Sequence, residues 1–149
     1  MALRPAADWE QAARTALTDA GYRAGEAREA VVRLLAGQDC CLSAHEVSDR
    51  LHESGSDVGI ASIYRALDLL HALGLVQRVE FGDRAARYEP VVPDGEHHHH
   101  AVCDSCGRVT AFTDEGLERQ LEHLAGRLRH SMSGHDLVIH GHCPRCARA

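Results

Sequence analysis

The chain predicts an α+β protein, an N-terminal winged helix-turn-helix followed by a small α/β dimerisation domain that carries a four-cysteine zinc site. Three observations predict it. Amphipathic helical segments fill residues 8–73 and give way to two short strand-like runs joined by Gly82-Asp83. Pro93-Asp94-Gly95-Glu96 then breaks the pattern as a linker would. Two Cys-x-x-Cys pairs, Cys103/Cys106 and Cys143/Cys146, stand in the last third. The expected division is 1–91 for the winged helix, 92–96 for the hinge linker and 97–149 for the second domain.

Each element has a local reason. DWEQAARTALTDA (8–20) is helical by composition and stops at Gly21, a C-terminal cap. EAREAVVRLLA (26–36) sets Ala30, Val31, Leu34 and Leu35 on one face and stops at Gly37. Ser43-Ala44-His45-Glu46 is a capping box opening a helix to about His52 that buries Val47 and Leu51. After the turn GSDVG, residues 61–73 place Ile63, Leu67, Leu70 and Leu73 at helical spacing, and Gly74 ends them. LVQRVEF and RAARYEPVV form the hairpin. A two-stranded wing after helices is the winged helix-turn-helix pattern, whose last helix enters the major groove. Beyond the linker, AVC and RVTAF read as strands, TDEGLERQLEHLAGRLRH as an amphipathic helix with Thr113 as N-cap, and DLVIHGHC as a strand entering the second cysteine turn.

Composition bounds the function. The 149 residues suit one medium domain or two small ones, and 44% hydrophobic with 26% charged residues argues against disorder. With no apolar run near the roughly 20 residues of a membrane span and no apolar signal core in MALRPAADWEQAARTAL, the cytoplasm is the expected location. The net charge of −6 excludes nonspecific coating of nucleic acid. Residues 1–90 hold 10 Arg against 14 acids, so a DNA-binding half would rely on a local Arg cluster and on pre-organisation. All sixteen basic residues are Arg, which reads as a coding bias.

The cysteine pairs carry the strongest chemistry. Without an export signal their spacing favours thiolate ligation over disulfides. Two such turns complete a tetrahedral zinc site with no open position, so Cys103, Cys106, Cys143 and Cys146 read as structural. The alternative, buried cysteines, leaves the doubled spacing without a reason. The histidines from His97 to His100 do not fit that full site. An affinity tag or a solvated loop is the plain reading of such a run, but this one lies inside the chain against a cysteine turn. In a strand, His97 and His99 face one side and His98 and His100 the other, so one strand can serve two further metal centres. Candidate partners are Glu89, Glu118, His135 and the pair Cys40-Cys41, which reads equally as buried cysteines.

Over roughly residues 15–147 the chain resembles the ferric uptake regulator family of metal-dependent bacterial repressors. The resemblance rests on S-A-H-E-V, A-S-I-Y-R-A-L, the wing ending R-Y-E, H-H-H-H-A-V-C-D-S-C-G-R-V and H-D-L-V-I-H-G-H-C-P-R-C, in that order. It implies a homodimer that binds double-stranded operator DNA and represses metal-uptake genes, with no membrane and no small-molecule substrate as partner. It implies a recognition helix from Ile60 to Leu73 in which Tyr64 and Arg65, beside Ser62, contact DNA, and a minor-groove contact nearest to Arg23. The family's Thr-Pro-Gln-Arg stretch is replaced by Gly25-Glu26-Ala27-Arg28. The hinge metal site falls on Cys41, Glu89, His98 and His100, with a thiol where an imidazole is usual. A third site falls on His97, His99, Glu118 and His135.

Carboxylate and imidazole donors suit ferrous iron or manganese, and an added thiolate tilts the hinge toward zinc. Against zinc, that branch usually places a cysteine where Glu89-Pro90-Val91 stands; against a peroxide sensor, that branch prefers Asp at Glu89. Readings from other classes are a zinc hydrolase or a metal-buffering protein. No H-E-x-x-H helix, nucleophile elbow or phosphate loop is present, so no enzyme is expected.

Overall fold

The computed structural model describes residues 7–38, 40–82, 84–92 and 97–148. They form two compact units, separated at 93–96. The Pro93 to Glu96 linker and residue Asp83 of the hairpin turn lie outside the described residues.

In the first unit the order is α1 (Ala7–Asp19), α2 (Glu26–Ala36), β1 (Leu42–Ser43), α3 (Ala44–Glu53), α4 (Ile60–Ala72), β2 (Val76–Val79) and β3 (Arg87–Pro90). Its core is aliphatic, with Val31, Val32, Leu35, Val47, Ile63, Leu67 and Leu70 all buried. Each such side chain is worth about 1.5–3 kcal/mol on burial. On α2 the inward face is Val31, Val32 and Leu35, while Ala30 and Leu34 are only partly buried against the core. Trp9, the one tryptophan, is buried and its indole N–H donates to the Leu75 carbonyl at 2.9 Å, which fastens α1 to the end of the α4–β2 turn. That turn passes through Gly74 at φ +71°, a left-handed conformation that glycine adopts without strain.

The capping box forms as expected. Ser43 Oγ accepts from the Glu46 N–H at 3.2 Å, and the Glu46 carboxylate accepts from the Ser43 N–H at 2.8 Å. The wing holds a strand that sequence pattern does not disclose. β1 pairs antiparallel with β3, giving the order β1-β3-β2. Two residues are too few to show alternation, and only the ladder reveals them as a strand.

The second unit contains β4 (His99–Cys103), β5 (Val109–Phe112), α5 (Glu115–Arg127) and β6 (Val138–Gly141) in a sheet ordered β5-β4-β6. β4 runs antiparallel to β5 and parallel to β6, with Cys103 level with Gly141. The N-cap of α5 is Asp114, one residue after the expected Thr113. Its Oδ1 accepts from the Leu117 N–H at 2.7 Å, and a carboxylate also suits the positive end of the helix. No residue of α5 is buried within this unit, and Leu124, Leu128 and Ile139 are exposed. Among the described residues no helix is long and apolar enough to cross a membrane.

Candidate metal centres and nucleic-acid interface

The parallel pairing of β4 with β6 sets the two cysteine turns side by side. Cys103 ends β4 and Cys143 follows β6, and the Sγ atoms of Cys103, Cys106, Cys143 and Cys146 all lie within 4.8 Å of one another. Each turn is closed by backbone hydrogen bonds, Gly107 N–H to Cys103 O and Cys146 N–H to Cys143 O, both 2.9 Å. Cys106 and Cys143 have their sulfurs 3.8 Å apart. A zinc ion with sulfurs at about 2.3 Å needs tetrahedral edges of about 3.8 Å, so the donor set fits zinc. The Cys143 N–H donates to Cys103 Sγ at 3.3 Å and, with the neighbouring turn amides, lowers that thiol to about 5. Backbone N–H donation from Cys146 also lowers Cys143. Cys146 is pushed up to about 12, because the thiols of Cys143, Cys106 and Cys103 share its proton. Part of the set is thus a ready thiolate.

A second cluster lies in the same unit. His99 Nε2 and Glu118 Oε1 are 2.6 Å apart, His135 Nε2 and Glu118 Oε2 3.1 Å, and His97 Nε2 and His135 Nε2 3.2 Å. His99, 1% exposed, comes from β4, Glu118 from the first turns of α5, and His135 from the segment before β6. Among the described residues the buried Nδ1 of His99 has no hydrogen-bond partner. The hydrogen bond from His99 lowers the Glu118 carboxyl, and burial together with the neighbouring imidazoles lowers His97. An ionised carboxylate beside an imidazole that resists protonation, as Glu118 and His97 are held, is the state a divalent cation requires. The histidine run divides as alternation demands: the rings of His97 and His99 meet at 4.6 Å, those of His98 and His100 at 4.9 Å.

The first unit holds the other predicted donors. Cys41 and Glu89 are buried, at 2% and 3% exposure. The Cys40 thiol donates to Cys41 Sγ at 3.8 Å, and this contact together with burial pushes the Cys41 thiol up. Gln77 Nε2 donates to Glu89. Arg87 holds the surrounding backbone, donating to both Glu46 carboxylate oxygens at 2.8 and 3.0 Å and to the Cys41 carbonyl at 3.3 Å. Sequence reading passed over Arg87, because a single arginine in a wing carries no signal until its partners are known.

On α4 one face supplies the core through Ile63, Ala66, Leu67 and Leu70. The other presents Ile60 and Tyr64, 37% and 40% exposed, together with Arg65. Arg65 donates to Ser62 Oγ at 3.0 Å, so three of the four predicted contact residues share this surface. His45, at the start of α3, sets its ring edge-on to Tyr64 with centroids 6.4 Å apart, a contact beyond its place in the capping-box sequence. Arg23 is exposed between α1 and α2, and its carbonyl accepts from the Arg28 guanidinium, which lies 5.9 Å over the Tyr22 ring.

The ferric uptake regulator family matches residues 19–140. The chain is 41% identical to the ferric uptake regulation protein of Legionella pneumophila over 131 residues, covering 87% of this chain and 95% of that one. The crystal structure of the Vibrio cholerae ferric uptake regulator superposes with a TM-score of 0.74 at 30% identity, covering 87% and 98% of the two chains. That of the ferric uptake regulator from Francisella tularensis with iron gives 0.71 at 27%, covering 85% and 96%.

Proposed function

This chain belongs to the ferric uptake regulator family, and we propose that it is a metal-dependent transcriptional repressor that binds operator DNA as a homodimer in the cytoplasm and controls zinc- or iron-uptake genes. The observation that carries the reading is the two-faced α4, whose apolar side is locked in the core while Tyr64, Arg65 and Ser62 face solvent from a winged helix. Tyr64 offers a ring to thymine methyls, and Arg65 suits a guanine edge or a phosphate. Arg23 would add a minor-groove contact. The family reading makes the chain a regulator and not an enzyme.

Each residue set has its own task. Cys103, Cys106, Cys143 and Cys146 hold a structural zinc. Cys41 and Glu89 of the first unit, with His98 and His100 of the second, hold the regulatory cation, which fixes the two units to each other when bound. His97, His99, Glu118 and His135 hold a third. Because the regulatory ligands come from both units, the metal-loaded form is the one that presents two recognition helices to two half-sites. Exposed Leu124, Leu128 and Ile139 give the second unit an apolar surface for its partner copy. Carboxylate and imidazole accept ferrous iron or manganese as well as zinc, and the Francisella tularensis relative was solved with iron.

The deciding experiment removes exchangeable metal with a chelator and then restores zinc, ferrous iron or manganese while operator binding is followed. Restoration by one of them is expected. Binding that is indifferent to all metals overturns the reading.

A further inference from the structure

We propose that Cys40 and Cys41 together form a dithiolate chelate for one thiophilic divalent cation, with the Glu89 carboxylate as third donor, and that this set makes zinc the ion sensed. The proposal deepens the repressor reading above by assigning a ligand, Cys40, and a metal class to its regulatory site.

Adjacent residues in a strand point to opposite sides and cannot share an ion. Cys40 and Cys41 escape that rule because β1 begins only at Leu42, and Cys40 lies in a bend. Their sulfurs consequently meet, 3.8 Å apart. A disulfide would need about 2.05 Å. The spacing is the tetrahedral edge of about 3.8 Å that zinc–thiolate bonds of about 2.3 Å define, and it repeats the 3.8 Å between Cys106 and Cys143 in the four-cysteine cluster.

The third donor comes from β3. The β1–β3 ladder ends at the Leu42–Tyr88 pair, and Cys41 and Glu89 are the residues next beyond it. The two sulfurs and a Glu89 carboxylate oxygen lie within 4.8 Å of one another. Two of the three donors are buried, and each is held from outside: Arg87 donates to the Cys41 carbonyl, and Gln77 to Glu89. Such outer contacts fix the direction of metal ligands. Two cysteines packed merely as apolar side chains would have no reason to stand against a buried carboxylate. A cation binds all three as anions and offsets the cost of burying that charge.

The consequence is specificity. Two thiolates favour zinc over ferrous iron and manganese, which harder oxygen and nitrogen donors suit better.

The test uses the full-length protein with its structural zinc in place and cobalt(II) as probe. One equivalent is expected to give a thiolate-to-cobalt charge-transfer band. Cys40→Ser and Cys41→Ser should each remove about half of it, and the double variant all of it. A zinc-sensitive dye confirms that the structural zinc has not exchanged. A wild-type measurement stands beside these in case a variant misfolds: zinc should protect Cys40 and Cys41 equally from alkylation, mapped by mass spectrometry. A Cys40→Ser protein with the wild-type spectrum, or Cys40 alkylated at the same rate with and without zinc, overturns the dithiolate. Metal-dependent operator binding that persists alongside such a result leaves the repressor reading intact. A charge-transfer band without any metal-dependent operator binding sinks that reading and leaves the site.

Discussion

The Cys41 sulfur and a Glu89 carboxylate oxygen lie within 4.8 Å of each other, just beyond the Leu42–Tyr88 pair that ends the β1–β3 ladder. On the next step inward Ser43 faces Arg87, whose guanidinium spans the Cys41 carbonyl and the Glu46 carboxylate. Glu46 in turn caps α3, the helix that packs beside α4. A candidate metal donor and the helices proposed to meet DNA are therefore joined through a few short hydrogen bonds.

Arg87→Ala should separate these parts. The Arg87 side chain is 13% exposed and Glu46 39%, so screening is partial. A loss of about 1–2 kcal/mol is expected, below the ~3–5 kcal/mol of a fully buried pair. The melting temperature should fall, and metal-restored operator affinity should weaken with it. Unchanged melting and affinity in Arg87→Ala would show that the bridge couples nothing.

Arg65→Ala should act on DNA alone. The side chain is exposed and, among the described residues, hydrogen-bonds to Ser62 within its own helix, so folding should be unaffected within about 0.5 kcal/mol. Loss of a base contact costs ~1–3 kcal/mol, or about 5- to 150-fold in operator affinity. Fluorescence anisotropy with operator and scrambled duplexes checks this, and a loss shared equally by both would make Arg65 a phosphate contact.

Cys103→Ser should unfold the second unit while sparing the first. Structural zinc supplies folding free energy directly, of order 10 kcal/mol in small domains. Far-ultraviolet dichroism should lose the α5 contribution, whereas Trp9, buried in the first unit, should keep its native emission. A red-shifted tryptophan would show that the first unit depends on the zinc as well.

Zinc uptake by the four-cysteine cluster should strengthen as pH rises. Before metal binds, Cys103 is lowered to about 5 and is ionised at neutral pH, while Cys146, raised to about 12, keeps its proton. Zinc must displace that proton, so between pH 6 and 8 apparent affinity should rise about tenfold per unit for each proton released. Calorimetry in buffers of different ionisation enthalpy counts the protons. A pH-independent affinity would contradict the assignment of the Cys146 proton.

Glu118→Ala should remove the third centre only. It contacts both His99 and His135, so its loss breaks that cluster while leaving the cysteine turns as they are. Metal analysis should find one exchangeable ion fewer per chain and the structural zinc retained. An unchanged metal count would show that the cluster is a hydrogen-bonded network and not a site.

Much of this was legible in the residues. The helices of the first unit announce themselves by apolar spacing and by the Ser43–Glu46 capping box, because a helix's periodicity and caps are local properties. The doubled Cys-x-x-Cys spacing names a thiolate site for the same reason, since each turn is built from four consecutive residues. Alternation also divided His97 and His99 from His98 and His100 before any coordinate was known. Tertiary structure decided what sequence distance conceals. β1 is two residues long and exists only because β3 hydrogen-bonds to it, so neither the approach of Cys41 to Glu89 nor the Arg87 bridge has a local signature. The meeting of the Cys40 and Cys41 sulfurs depends likewise on a bend before that strand, a feature set by packing between elements and not by the two residues themselves.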